Sequence, residues 1–110
     1  MHMGSIDTLK LTGTATTAIA ERRFVTFANG QAVLNSVVKG VSAMAAEIGD
    51  ALPITLIGAV DMEAGAAIAE GDELVSDANG RPIPKGANTN VAARALNAAP
   101  IGGRVSVLLR

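Results

Sequence analysis

The stretch AIAEGDELVSDANGRPIP, Ala67 to Pro84, restates an earlier one, AIAERRFVTFANGQAV, Ala18 to Val33. Ala18-Ile19-Ala20-Glu21 lies over Ala67-Ile68-Ala69-Glu70. After one extra residue in the second copy, Ala28-Asn29-Gly30 lies over Ala78-Asn79-Gly80, with Phe24-Val25 on Leu74-Val75. Further on, Ala45-Ala46 and Ile48-Gly49 match Ala98-Ala99 and Ile101-Gly102, each pair of landmarks leading into an apolar strand. Four landmarks in the same order point to an internal duplication.

Each copy is written in the grammar of strands. RRFVTF and DELVSD are short β-rich runs that lead to Asn-Gly, the dipeptide favoured in type I′ hairpin turns because both central residues need positive φ. A hairpin is therefore expected in each half. ALPITLI and RVSVLL are β-branched with a period of two and follow Ile-Gly turns, as core strands do. VAARALNAA alone would pass for a helix on Ala propensity, but its partner VVKGVSA contains Val-Val and Gly, which argues for strand in both. EAGAAIAEGD, Glu63 to Asp72, is expected to hold a short helical turn. Pro82 and Pro84 remove ladder donors and send their strand to an edge. Neither half is long enough to bury a face by itself, so the two should close on one another. The expected fold is mainly β, a small β-barrel or sandwich with internal pseudo-twofold duplication, plus an extended N-terminal arm.

Residues 1–5 (MHMGS) read as cloning-site residues, residues 6–17 as the arm, and residues 18–110 as a single β-rich domain with halves at about 18–57 and 67–109. In the arm, Leu9 and Leu11 alternate with Thr8, Lys10 and Thr12, the period of a strand with one face to bury. It stands outside both copies. Such an arm either completes its own sheet or adds a strand to a neighbour's.

Composition removes most chemistry. The 110 residues contain no Cys, and His2 is the only His, so Ser-His-Asp and Cys-His arrangements are excluded. A formal net charge of -1 with scattered signs provides no field for nucleic acid. No apolar run approaches the roughly 18 residues that span a bilayer, and a soluble protein is expected. About a fifth of the chain is Ala, and Phe24 and Phe27 are the only aromatics. A core so poor in large side chains is expected to draw some stability from subunit contacts. Met44 and Met62 read as core gap-fillers.

Asp72, Glu73 and Asp77 cluster at the second hairpin, with Asp61 and Glu63 before it. They could form a carboxylate pair or a hard-cation site. The alternating spacing of a calcium loop is missing, and a solvated turn in which Asp77 bonds local backbone is favoured. Arg22-Arg23 replace Gly71-Asp72 of the other copy, and these opposite charges (Arg22, Arg23, Asp72) are candidates for a contact between subunits. No catalytic, cofactor or metal residue is assigned.

The Thr-rich arm, AIAERRFV, GVSAMAAEIGDALPITLIGAV, EAGAAIAEGDELVSDANGRPIP and ARALNAAPIGGRVSVLL together resemble the capsid cement, or head decoration, proteins of tailed bacteriophages and prophages. The resemblance runs from about Thr12 to Leu109. It implies a non-enzymatic structural virion protein without cofactors, one that binds the major capsid protein on the outer head surface as a homo-trimer after assembly in the host cytoplasm. It also implies that the arm docks on the capsid, which singles out Ile6, Asp7, Thr8, Leu9, Lys10, Leu11 and Thr12. No nucleic acid or membrane partner is expected. The competing readings are a ligand-binding or enzymatic barrel with its site at Asp72 to Asp77, and a phage tail or baseplate module.

Overall fold

The computed structural model of the chain describes residues 9–109. Among these residues there are eight strands and no helix: β1 (Leu9–Thr14), β2 (Phe24–Thr26), β3 (Val38–Ser42), β4 (Ala51–Glu63), β5 (Glu73–Ser76), β6 (Pro82–Pro84), β7 (Ala93–Ala95) and β8 (Arg104–Leu109). All pair antiparallel in the order β2-β3-β4-β8-β7-β5-β6, and β1 joins β4 off this path. The two ends of the order approach each other. The Phe24 N–H donates to the Gly80 carbonyl at 2.8 Å, and the Asn35 N–H donates to the Ser76 carbonyl at 3.0 Å. The sheet thus curls into a nearly closed barrel, the β-rich class expected.

The duplication is visible bond by bond. Ile19 and Ala46 exchange backbone hydrogen bonds of 2.8 and 2.9 Å, and Ile68 and Ala99 exchange bonds of 2.8 and 3.0 Å. Gly49 donates to Ala15, as Gly102 does to Ala64. β1 lies on the first part of β4 with Leu11 opposite Ile54 and Gly13 opposite Leu52, while the second part of β4 lies on β8 with Val60 opposite Val107 and Met62 opposite Val105. These are the same pairings once each residue is replaced by its twin. The N-terminal stretch therefore does not stand outside the copies. β1 occupies in the first copy the place that Gly58–Glu63 occupy in the second, and the 13-residue β4 closes one copy while opening the next. The copies pass into each other at Gly58, whose φ of 133° is costly for any residue with a Cβ.

Three local expectations are corrected. Val25 pairs with Gly40 as Leu74 pairs with Ala93, so Val25 corresponds to Leu74 and not to Val75. In the first copy the β2–β3 register then slips between Val25 and Thr26. Neither Asn-Gly is a type I′ turn, because only Asn29 is left-handed in the first (φ 64°) and only Gly80 in the second (φ 77°). Each is a three-residue loop with one left-handed position. The stretch Glu63 to Asp72 holds no helical turn. Ala69 to Asp72 close a β-turn there, with the Asp72 N–H donating to the Ala69 carbonyl at 3.1 Å. Pro82 and Pro84 do lie on a terminal strand of the sheet order.

The core follows the duplication too. Ala15, Ile19, Val25, Ala46, Leu52 and Ile54 form one buried cluster, and their twins Ala64, Ile68, Leu74, Ala99, Val105 and Val107 all belong to the other. The second cluster is larger: Met62, Ala93 and Ala95 fill positions held by Gly13, Gly40 and Ser42 in the first copy, and Leu109 joins it together with Phe24, Ala32 and Val41 from the first copy. Met62 is the expected gap-filler; Met44 is not, since it is half exposed on a bend. Each fully buried aliphatic side chain contributes roughly 1.5–3 kcal/mol. With so many alanines among them, the pairing of two clusters in one closed sheet matters more than any one residue.

Candidate functional site

The arm is built into the sheet of its own chain. Among the described residues β1 pairs with β4 over Leu9–Thr14 and with no other strand, so its second edge carries no ladder partner there. Leu9 and Leu11 are 52% and 48% exposed, and Ile57, opposite Leu9, is exposed as well. Lys10 and Thr12 are also exposed. Ile6, Asp7 and Thr8 lie outside the described residues. Where β1 ends, the chain is tied down: the Thr16 hydroxyl donates to the Ala28 carbonyl at 2.8 Å and the Thr16 N–H to the Asn29 carbonyl at 3.0 Å. Ala15 is buried in the smaller core cluster. The result is an exposed apolar strand edge held at a defined position, a geometry suited to strand addition or to a flat protein surface.

The charged corner resolves differently for each of its three residues. Arg23 reaches across to the second copy, with Nη1 3.3 Å from Glu63 Oε1. Glu63 also faces Arg81 at 3.9 Å, and Arg81 Nε lies 3.1 Å from Asp77 Oδ2, so two arginines and two carboxylates alternate in a chain. Asp72 is spent locally, its Oδ2 accepting the Ala69 N–H at 2.9 Å. Arg22 is exposed, with no ion pair among the described residues, and sits at φ 59° where its twin is Gly71. The two corners differ further in how they close. The Ser42 hydroxyl donates to the Ala20 carbonyl at 2.8 Å and accepts the Arg23 N–H at 3.0 Å, bridging a turn that Ala69 and Asp72 close directly. The structure thus does not bring Arg22, Arg23 and Asp72 together as one patch. Arg22 and Arg23 line, with Asp61, Glu63 and Arg104, an open polar groove of about 450 Å³.

Residues 3–110 match the family described as phage cement protein. The chain belongs to that family. In three dimensions it is similar to the N base of the head fiber of bacteriophage phi29, with a TM-score of 0.76 and 20% identity over 94% of this chain and 95% of that one. No curated protein matches the chain significantly in sequence.

In this cement-family chain the acid-rich hairpin is a set of turn fastenings. Asp77 Oδ1 accepts the N–H groups of Asn79 and Arg81, both at 2.8 Å, while Oδ2 takes the Arg81 guanidinium. Glu73 faces Arg94 at 3.5 Å. Asp61 accepts the Ser106 hydroxyl at 2.6 Å. Among the described residues no group of three acidic or His side chains is placed to hold a metal ion. The carboxylates that composition singled out are held by separate partners: Asp61 and Glu63 line the arginine-rich groove, while Asp72, Glu73 and Asp77 lie outside its lining.

Sequence reasoning passed over a further surface. The loop from Val33 to Val37 and the loop from Thr89 to Val91 are joined by Asn35, left-handed at φ 58°. Its Oδ1 accepts the N–H groups of Thr89 and Asn90 at 3.2 and 2.9 Å, and the Asn90 amide donates back to the Asn35 carbonyl at 2.8 Å. Around this clamp Val33, Leu34, Val37 and Val91 are all exposed. The only advance signal is an uninterrupted run without charge from Phe24 to Val38.

Proposed function

We propose that the chain is a structural virion protein, attached to the outer surface of a phage head, where it reinforces the shell by binding the major capsid protein as a homo-trimer. The observation that carries this reading is membership of the cement family across residues 3–110, on a fold whose acidic hairpin is engaged in its own turn and in ion pairs. Such a role needs many modest contacts and no reaction centre, because copies that bind together multiply their individual affinities. The protein acts without catalysis.

The docking element is the arm, Ile6 to Thr12, through the free edge of β1 and the exposed Leu9 and Leu11. Of the charged corner, Arg22 is the residue left for a neighbouring subunit, since Arg23 and Asp72 are occupied within their own chain.

The test is co-sedimentation with empty expanded heads of the encoding phage. The double variant Leu9→Asp, Leu11→Asp is expected to keep its melting temperature, both side chains being half exposed, and to lose at least tenfold in head binding. Wild-type binding by that variant would remove the arm from the docking role. Failure of the unaltered protein to bind heads, with density found on the tail by electron microscopy, would favour a tail or baseplate module.

A further inference from the structure

We propose that the clamped surface of Phe27, Val33, Leu34, Val37 and Val91 lies at a symmetry axis and is where copies of this chain meet one another. The proposal deepens the multi-copy reading above and rests on it. One fact is the use of aromatic residues: Phe27, one of two in the chain, is 66% exposed. Thr26 and Val38 form the last pair of the β2–β3 ladder, so Phe27 and Val37 lie just beyond the same end of the two strands. Val33 and Leu34 follow in the same loop, and Asn35 fastens that loop to the segment bearing Val91. Five large apolar side chains are thereby gathered on a loop surface that hydrogen bonds hold in shape. Interface centres have this composition, aromatic-containing and stripped of charge.

Charge distribution identifies the occupant. From Phe24 to Val38 and from Gly86 to Ala93 the chain has no Asp, Glu, Lys or Arg, although 19 such residues are spread over the rest. At a rotation axis each residue approaches its own copy, so any charge there meets a like charge and opposes assembly. A surface facing a different protein has no such restriction and could use complementary ions. Two charge-free stretches that carry all five apolar side chains, with Lys39 at their rim bonded to Asn29, are the pattern that contact between identical copies selects. The preset clamp also lowers the ordering cost of association, because the loops need not be immobilised on contact.

The experiment is sedimentation velocity on the full chain, on Val37→Asp, on Val37→Lys, and on an equimolar mixture of the two variants, with Ile48→Asp as an exposed apolar control outside the patch. Unchanged melting curves establish that the variants fold. The unaltered chain and the control are expected to assemble, each Val37 variant to associate at least tenfold more weakly, and the mixture to recover assembly as opposite charges meet at the axis. A monomeric unaltered chain, variants that assemble normally, or a mixture that fails to recover would each overturn the proposal. Variants that assemble normally but lose head binding would assign the patch to the capsid. Because the arm variants test head binding separately, loss of one activity leaves the other readable.

Discussion

A single methyl group added at Gly40 should damage the fold more than most truncations of its core. Gly40 lies in β3 opposite Val25, and a Cβ built there would stand 2.3 Å from the Thr55 carbonyl oxygen and 2.8 Å from Ile54 Cγ2. The first neighbour is β4 backbone and cannot rotate aside, so relief requires β3 and β4 to separate by roughly 1 Å, at the typical overpacking cost of about 1–3 kcal/mol. The pairs Val41–Thr55 and Ser42–Ile54 lie next to the insertion, and each ladder bond weakened removes about 1 kcal/mol more. Gly40→Ala is therefore expected to cost about 3 kcal/mol, which for a domain of this length lowers the melting temperature by about 12 °C. The twin position offers an internal control. Ala93 is buried in the second copy, so Ala93→Gly should cost about 1 kcal/mol through lost burial and added chain freedom. Calorimetry on both variants measures the contrast. A melting temperature for Gly40→Ala within 2–3 °C of the parent (roughly half a kcal/mol) would refute the close approach of β3 to β4.

Further outcomes follow from other contacts. Arg22→Gly removes a left-handed penalty of about 1–2 kcal/mol and adds about 0.5–1 kcal/mol of backbone entropy, so thermal unfolding should find stability unchanged or raised by up to about 1.5 kcal/mol; a clear loss would mean that the arginine contributes contacts not accounted for. Asp77→Asn keeps the turn acceptor but loses the charge facing Arg81, and chemical denaturation should report a loss of about 1–2 kcal/mol, with the polar chain to Glu63 and Arg23 disrupted. Deleting residues through Thr17 removes β1 and the buried Ala15, so circular dichroism should register a marked drop in melting temperature. Retention of the parental melting temperature would show that β1 contributes little to the sheet. That truncation consequently cannot isolate docking from folding, which is why surface substitutions at Leu9 and Leu11 are the cleaner probe.

The sequence by itself determined the class of the fold and its doubling. Ala-Ile-Ala-Glu, Asn-Gly and Ile-Gly recur because backbone turns and short strands depend on neighbouring residues, and local chemistry is legible wherever it is repeated. It also excluded thiol chemistry, since there is no Cys in the chain, and left His2 as its one imidazole. The candidate site was less legible. The acidic hairpin stands out in sequence because charges are conspicuous, but only the tertiary structure reveals Asp77 serving its own turn and Asp72 serving Ala69. The place of β1 was hidden for another reason: LKLTGT and GAVDME have almost no letter in common, and they are recognised as twins only by the shared register of their pairing partners in β4 and β8. The apolar surface depends on Asn35 bonding residues far along the chain, Thr89 and Asn90. Local interactions are written in neighbouring letters. Which distant letters meet is decided by the closing of the sheet, which brings together residues whose individual preferences carry no information about one another.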